Sequence, residues 1–225
     1  MQRIDATDSK TIRYKFRKKR FEKVENLIRE ALKVSDPVTV IDIGGRRDYW
    51  DYLSEDLREH VIITTVNFED ELEDYSQKSS DLNIVQVVGD GCDLSQFSDN
   101  QFDISHSNSV IEHVGSFANM AKFSSESRRV AKRYYMQTPN LWFPLEPHFG
   151  VPFLHWLPAP TRIRLINKYA VGYSERVEPI EEAIDEIDHL SLINASLVKT
   201  FFPDGEIHRE RFALMTKSLI TIGPE

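Results

Sequence analysis

Cysteine is almost missing from this chain. Cys92 stands alone, so an intrachain disulfide framework is ruled out and a reducing, cytoplasmic setting is expected. Long apolar runs are missing as well. No stretch approaches the roughly 20 residues that cross a bilayer, and the first residues are polar and charged with no apolar signal core. A transmembrane segment is therefore not expected, while peripheral membrane contact stays open. There is no basic excess either. Lys and Arg number 28 against 36 Asp and Glu, a net charge of -8, which argues against a general nucleic-acid binder. Internal repeats and low-complexity tracts are absent, and nothing in the residues fixes an oligomeric state.

What remains is ordinary globular composition, 40% apolar and 28% charged over 225 residues, enough for one large domain with a sizeable core. Charge is unevenly spread. Lys10 to Lys23 holds eight Lys or Arg against the single acid Glu22, whereas Glu69 to Asp74 and Glu175 to Asp188 are acidic. Such runs are read as solvated faces, although the basic one could meet an anionic substrate or membrane surface. Residues 1–36 are read as a basic helical segment and 37–225 as the main domain, with an insertion at about 139–190.

Asp8 and Ser9 are candidate N-caps for a helix over Thr11 to Lys33, in which Val24, Leu27, Ile28 and Ala31 keep helical spacing until Ser35-Asp36-Pro37. Strands are predicted at Val38 to Ile43, Val61 to Phe68, Ile84 to Val88, Phe102 to Ser107 and Arg133 to Gln137. Helices are predicted at Tyr49 to His60 and Phe117 to Lys132. This alternation implies an α/β, doubly wound and mainly parallel sheet. From Pro139 to Pro160 lie six of the ten prolines and two of the three tryptophans, Trp142 and Trp156. Proline fixes φ and removes a donor, so a stiff aromatic loop is expected there, more a pocket wall than a linker. Short helices follow at Thr161 to Tyr169 and Ser191 to Phe202, then an antiparallel pair around Ile207 to Phe212 and Ser218 to Ile222.

The segment Val38-Thr-Val-Ile-Asp-Ile-Gly-Gly45 is the most informative. A continuous apolar run reads as a strand buried on both faces, and glycines directly after it let backbone approach a ligand. A dinucleotide fold needs Gly-x-Gly-x-x-Gly, but Gly44-Gly45 is followed by Arg46-Arg47-Asp48 and the third glycine is missing. That leaves a nicotinamide-type oxidoreductase as a weak candidate. S-adenosylmethionine has no phosphates and asks for other groups, which successive strand ends supply. They are Asp42 with Gly44-Gly45, then Asn67, then Gly89-Asp90-Gly91, then His106-Ser107-Asn108.

With Val40-Ile-Asp-Ile-Gly-Gly45, Gly89-Asp-Gly-Cys-Asp-Leu94 and Asp99-Asn-Gln-Phe-Asp-Ile-Ser-His-Ser-Asn-Ser-Val-Ile-Glu-His-Val114, the chain resembles a known family. It is similar to class I S-adenosylmethionine-dependent methyltransferases, specifically the small bacterial type 11 methyltransferase-domain group. Thr138-Pro-Asn-Leu-Trp-Phe-Pro-Leu-Glu-Pro-His-Phe149 looks like a subgroup signature, and Glu210-Arg-Phe-Ala-Leu-Met-Thr-Lys-Ser-Leu-Ile220 resembles its closing strands. The resemblance implies a Rossmann-like sheet of seven strands with an antiparallel C-terminal strand. It also implies S-adenosylmethionine as cofactor, S-adenosylhomocysteine as product, and the 139–190 insertion as a substrate lid. Carried over by position, Asp42, Gly44 and Gly45 face the methionine part, and Asn67 and Phe68 the ribose side. Asp90 takes the adenine amino group, Gly91 and Cys92 the ring edge, and Ser107 and Asn108 border the sulfonium. Two departures stand out: Arg46 and Arg47 replace small residues, and Asn67 replaces an acid, with Glu69 as a possible substitute.

Methyl transfer to a hydroxyl benefits from a base, worth roughly 10²–10⁴-fold. His148, just past the fifth strand with Glu146 two residues before it, is the candidate, in either a catalytic or a structural loop role. Glu112-His113 follows the fourth strand, where some relatives bind a metal through an added acid one turn earlier. Ser109 stands there, so no metal is expected. The reading is an O-methyltransferase for a small-molecule, sugar or lipid-linked acceptor, the alternative a non-catalytic S-adenosylmethionine-binding or scaffold protein.

Overall fold

The computed structural model describes residues 12–72 and 81–224. The caps expected at Asp8 and Ser9 lie outside them. Helix α1 spans Ile12–Ala31, and β1, Val38–Ile43, follows. The helix predicted over Tyr49 to His60 is instead two single turns, α2 (Arg47–Trp50) and α3 (Glu55–Arg58). The break has a cause: the Ser54 N–H and hydroxyl both donate to Glu25 Oε1, at 2.8 and 2.5 Å, tying the chain between the turns to α1. Strands β2 (Val61–Asn67), β3 (Asn83–Val88) and β4 (Phe102–Asn108) come next. Helix α4 (Phe117–Arg129) ends three residues before the predicted Lys132, and β5 runs over Ala131–Pro139. Then come α5 (Ala159–Lys168), α6 (Ile180–Asp188), α7 (Ala195–Phe201), and the closing strands β6 (Glu206–Phe212) and β7 (Met215–Gly223).

The seven strands are ordered β3-β2-β1-β4-β5-β7-β6. β1 is central and pairs in parallel with both β2 and β4, and β2 pairs in parallel with β3. The sheet is mostly parallel, with antiparallel strands at the C-terminal end, as expected from the sequence. Its centre explains the apolar run: Val38, Val40, Ile41 and Ile43 are all buried, and so are Val61, Ile63 and Val66 of β2. β3, at the edge, shows exposed Val85 and Val88 instead.

By its internal packing the chain divides into two compact units. One holds the described residues up to Asn108, Lys122–Met136 and the chain from Ile222; the other holds Ser109–Ala121 and Gln137–Thr221. The second has its own apolar cluster, in which Phe149, Leu154, Ile166, Ala183, Ile187 and Leu190 are buried. The acidic run of α6 turns Ala183 and Ile187 inward and its acids outward. Among the described residues no helix is long and apolar enough to cross a membrane.

Candidate functional site

Because β1 to β4 are mutually parallel, their last residues share one edge of the sheet, the edge where open α/β sheets bind ligands. Asp42 is the hub of that edge but faces inward. It is 1% exposed, its Oδ2 accepts from Trp50 Nε1 at 2.6 Å, and its Oδ1 lies 2.6 Å from His106 Nδ1. The His106 ring stacks between Tyr49 and Tyr135, with centroids 5.0 and 5.2 Å away. Gly45 closes over the same carboxylate, and a Cβ there would stand 1.9 Å from Asp42 Oδ2. Gly44 before it has φ +69°, a left-handed conformation that glycine adopts freely. Asp42 therefore shapes the glycine turn, and its carboxylate is already taken by Trp50 and His106.

Asn67 is engaged in the same turn. Its Nδ2 donates to Gly45 O at 2.9 Å, and the side chain is buried. Beyond it Phe68 and Glu69 are exposed. At the end of β3 the exposed Asp90 accepts from the Cys92 N–H at 2.8 Å. Gly91 packs so closely on Ile43 and Phe123 that a Cβ would come within 2.7 and 2.9 Å of them. Burial, then Asp90, pushes the Cys92 thiol up to about 11, so it is not a thiolate nucleophile. At the end of β4 Ser107 is buried, and Asn108 Oδ1 accepts from Arg20 Nη1 of α1 at 3.3 Å. The arrangement fits the methionine, ribose and adenine parts of S-adenosylmethionine in kind. A side-chain-free turn, two exposed residues after β2 and an exposed carboxylate after β3 line one edge.

The other unit gathers a second group. Residues Ile111–His113 form one 3₁₀ turn, and Glu146, Pro147 and His148 lie in the proline-rich loop. Glu146 is 1% exposed; its Oε1 accepts from His148 Nδ1 at 2.7 Å and its Oε2 from the Phe149 N–H. Burial works against that charge, but the bonds from His148 and the backbone outweigh it and hold the carboxyl below its ordinary value. His148 Nε2 then lies 3.1 Å from His113 Nε2, the rings nearly perpendicular. Glu112 is fully buried, accepts from Thr138 Oγ1 at 3.0 Å through Oε2, and is pushed up to about 7 by desolvation. His113 is exposed as a residue, but the protein packed around its ring pushes it down to about 4, with the neighbouring His148 the second cause. Glu112, His113 and His148 have ligating atoms within 4.8 Å of one another. In the sequence Glu112-His113 lacks an acid at Ser109; the fold brings it beside a second acid-histidine pair, Glu146 and His148, from 33 or more residues further along the chain.

In the same unit Trp142, Phe153 and Trp156 form an exposed aromatic group. Trp156 lies 6.4 Å from Trp142 and 5.0 Å from Phe153, centroid to centroid. Trp156 Nε1 and His155 Nε2 both donate to Leu141 O. Phe153 holds φ +64°, a strained value for a bulky residue.

Residues 45–134 match the family model described as "Methyltransferase domain". No curated protein matches the chain. Among solved structures, the PH0226 protein from Pyrococcus horikoshii OT3 is similar at 18% identity and a TM-score of 0.56, over 96% of this chain and 92% of that one. A SAM-dependent methyltransferase from Methanosarcina mazei follows at 12% identity and a TM-score of 0.50, covering 89% and 95%. YcgJ from Bacillus subtilis is similar at 16% identity and a TM-score of 0.51, covering 85% and 71%. At such identities these likenesses speak for the fold. With the strand order they show the Rossmann-like fold that class I methyltransferases have, and the methyltransferase domain matched over residues 45–134 implies S-adenosylmethionine as the methyl donor.

Proposed function

We propose that this methyltransferase transfers its methyl group to a hydroxyl of a small-molecule, sugar or lipid-linked acceptor held by the 139–190 segment, in the cytoplasm. S-adenosylmethionine supplies an electrophilic methyl on a sulfonium. The acceptor oxygen forms the new C–O bond as the C–S bond breaks and its electron pair returns to sulfur, and the hydroxyl proton must go elsewhere. The observation that carries the oxygen reading is the Glu146–His148 pair. The buried carboxylate accepts from His148 Nδ1 and orients the ring, so Nε2 is the nitrogen left to take an acceptor's proton. An amine or carbon acceptor gives less reason for such a device. The exposed Trp142, Phe153 and Trp156 support a sugar-like acceptor, whose C–H faces pack well on aromatic rings.

For the cofactor we propose contacts from the Gly44-Gly45 backbone, Phe68 and Glu69, Asp90, the Gly91-Cys92 backbone, and Ser107 with Asn108. Asp42 and Asn67 act behind them by fixing the glycine turn. A cell extract incubated with the enzyme and methyl-tritiated cofactor, followed by identification of the labelled product, tests the reading. Label that resists mild base and is released as a methoxy sugar or ether is expected. His148→Ala should depress turnover while binding S-adenosylhomocysteine as tightly as wild type. A folded protein that binds cofactor and labels nothing would point to the scaffold alternative, and N-methylated product would overturn the hydroxyl acceptor.

A further inference from the structure

Three observations converge on the turn Ile111–His113 and the loop that carries His148. The first is the pair of imidazole nitrogens. Glu146 fixes the His148 tautomer from behind, which leaves Nε2 as a lone pair, yet that lone pair lies 3.1 Å from a second Nε2, of His113. Two nitrogens bound to one ion at about 2.1 Å each stand about 3.0 Å apart at a right angle and about 3.4 Å apart at the tetrahedral angle. The observed separation falls in that interval. The second is Glu112. It is wholly buried, one oxygen is bonded to Thr138, and Oε1 makes no well-formed hydrogen bond among the described residues, although the Ser109 side chain and the Glu112 backbone lie near enough to favour the charge. A buried carboxylate oxygen with no well-formed bond is costly unless something positive meets it. A proton shared between the two histidines would account for the first observation and leave this one unexplained. The third is the outer support: a carboxylate behind the imidazole is how proteins orient a metal-bound histidine.

We propose that Glu112, His113 and His148 bind a divalent transition-metal ion, with Glu146 as the positioning residue behind His148. Two imidazoles and one carboxylate suit zinc, manganese, iron or cobalt, and disfavour magnesium and calcium, which prefer all-oxygen sets. Three protein ligands leave coordination positions open to an oxygen. The role of the ion rests on the hydroxyl-acceptor reading, and the ion replaces His148 as the group that activates the hydroxyl. The acceptor oxygen takes an open position, its acidity rises, and its proton passes to solvent. His148 is then a ligand, not the base.

The test uses the full-length chain without an affinity tag, stripped with a chelator and titrated with cobalt(II) and zinc(II). One equivalent should bind, with cobalt giving visible absorption bands. Glu112→Gln and His113→Ala should each weaken binding at least about tenfold, and Glu146→Gln about 10–100-fold. His60→Ala, at an exposed histidine paired with Asp36, should bind as wild type does. His113 is exposed, so its alanine variant should fold even if the variants at Glu112 do not. Failure to bind a full equivalent, or binding that survives His113→Ala, overturns the site. Methyl transfer measured on the same preparation separates the two readings. Undiminished transfer by a metal-free enzyme overturns the metal while the methyltransferase stands, and stoichiometric binding with only N-methylated product upholds the metal and sinks the hydroxyl acceptor.

Discussion

Two aspartates at the ends of neighbouring strands have opposite surroundings, and those surroundings predict opposite behaviour. Asp42 is buried against Trp50, His106 and Gly45, whereas Asp90 is exposed and accepts from the Cys92 N–H. Removing the Asp42 carboxylate strands a buried indole N–H and a buried imidazole, the situation in which losing one partner of a buried pair costs about 3–5 kcal/mol. Asp42→Ala should therefore lower the urea midpoint strongly, and any loss of cofactor binding should follow the unfolding. Asp90→Ala should leave the midpoint in place and weaken S-adenosylhomocysteine binding by about 1.5–3 kcal/mol, the range for a hydrogen bond to a charged acceptor. Calorimetric titration and urea melts on both variants decide it. An Asp42→Ala protein as stable as wild type would show that the inward network contributes nothing. In the sequence Asp42 and Asp90 look alike, as acids at strand ends. The difference lies in Trp50 and His106, which meet Asp42 only when α2 and β4 fold against β1.

At the scale of elements, local signals were read well wherever packing agreed with them. The run Val38 to Ile43 is a strand from end to end because both of its faces are covered. The helix expected over Tyr49 to His60 failed because apolar spacing cannot register Glu25, 29 residues earlier, capturing Ser54. The pairing of Glu112-His113 with Glu146 and His148 escaped for the same reason: sequence distance hides which loops meet. The chain from Gly89 to Gln101 has no helix, and one side chain at the end of α4 makes several bonds to it. Arg129 donates to Phe97 O, Leu94 O, Asp99 Oδ1 and Glu126, whose Oε2 in turn accepts from the Leu94 N–H. That places Arg129 as the clamp of the loop that begins with Asp90. Arg129→Met keeps the apolar stem and drops the donors, so it should cost about 1–3 kcal/mol of stability. It should also raise hydrogen exchange over 90–99 and weaken cofactor binding less than Asp90→Ala does. Exchange unchanged in that segment, measured by mass spectrometry, would remove Arg129 from the role.

For the molecule as a whole, acid is the condition to which the fold should be most sensitive. Net charge is -8, and several carboxylates are tied to cations inside the packed structure. Asp103 is the best placed of them. It accepts from Lys132 Nζ at 2.7 Å, from the N–H and hydroxyl of Thr39 at 2.9 Å each, and from Ser35 Oγ at 3.2 Å, fastening the starts of β1, β4 and β5 together. Burial alone would raise its carboxyl. The bonds from Lys132 and Thr39 more than offset that and hold it below its ordinary 3.8. Glu126 is likewise lowered from 4.5, Arg129 being the largest cause. A group whose pKa is depressed by folding binds fewer protons folded than unfolded, so its contribution is complete above the unfolded value and vanishes as pH falls through the folded one. Asp103→Asn should thus be less stable than wild type by about 1–2 kcal/mol at pH 7, the scale of partly exposed charged hydrogen bonds. The gap should hold down to about pH 5 and close progressively below pH 3.8. Urea melts of both proteins across that range measure it directly. A gap as wide at pH 3 as at pH 7 would mean that the asparagine costs packing and not charge, and the acid sensitivity of the fold would have to come from elsewhere.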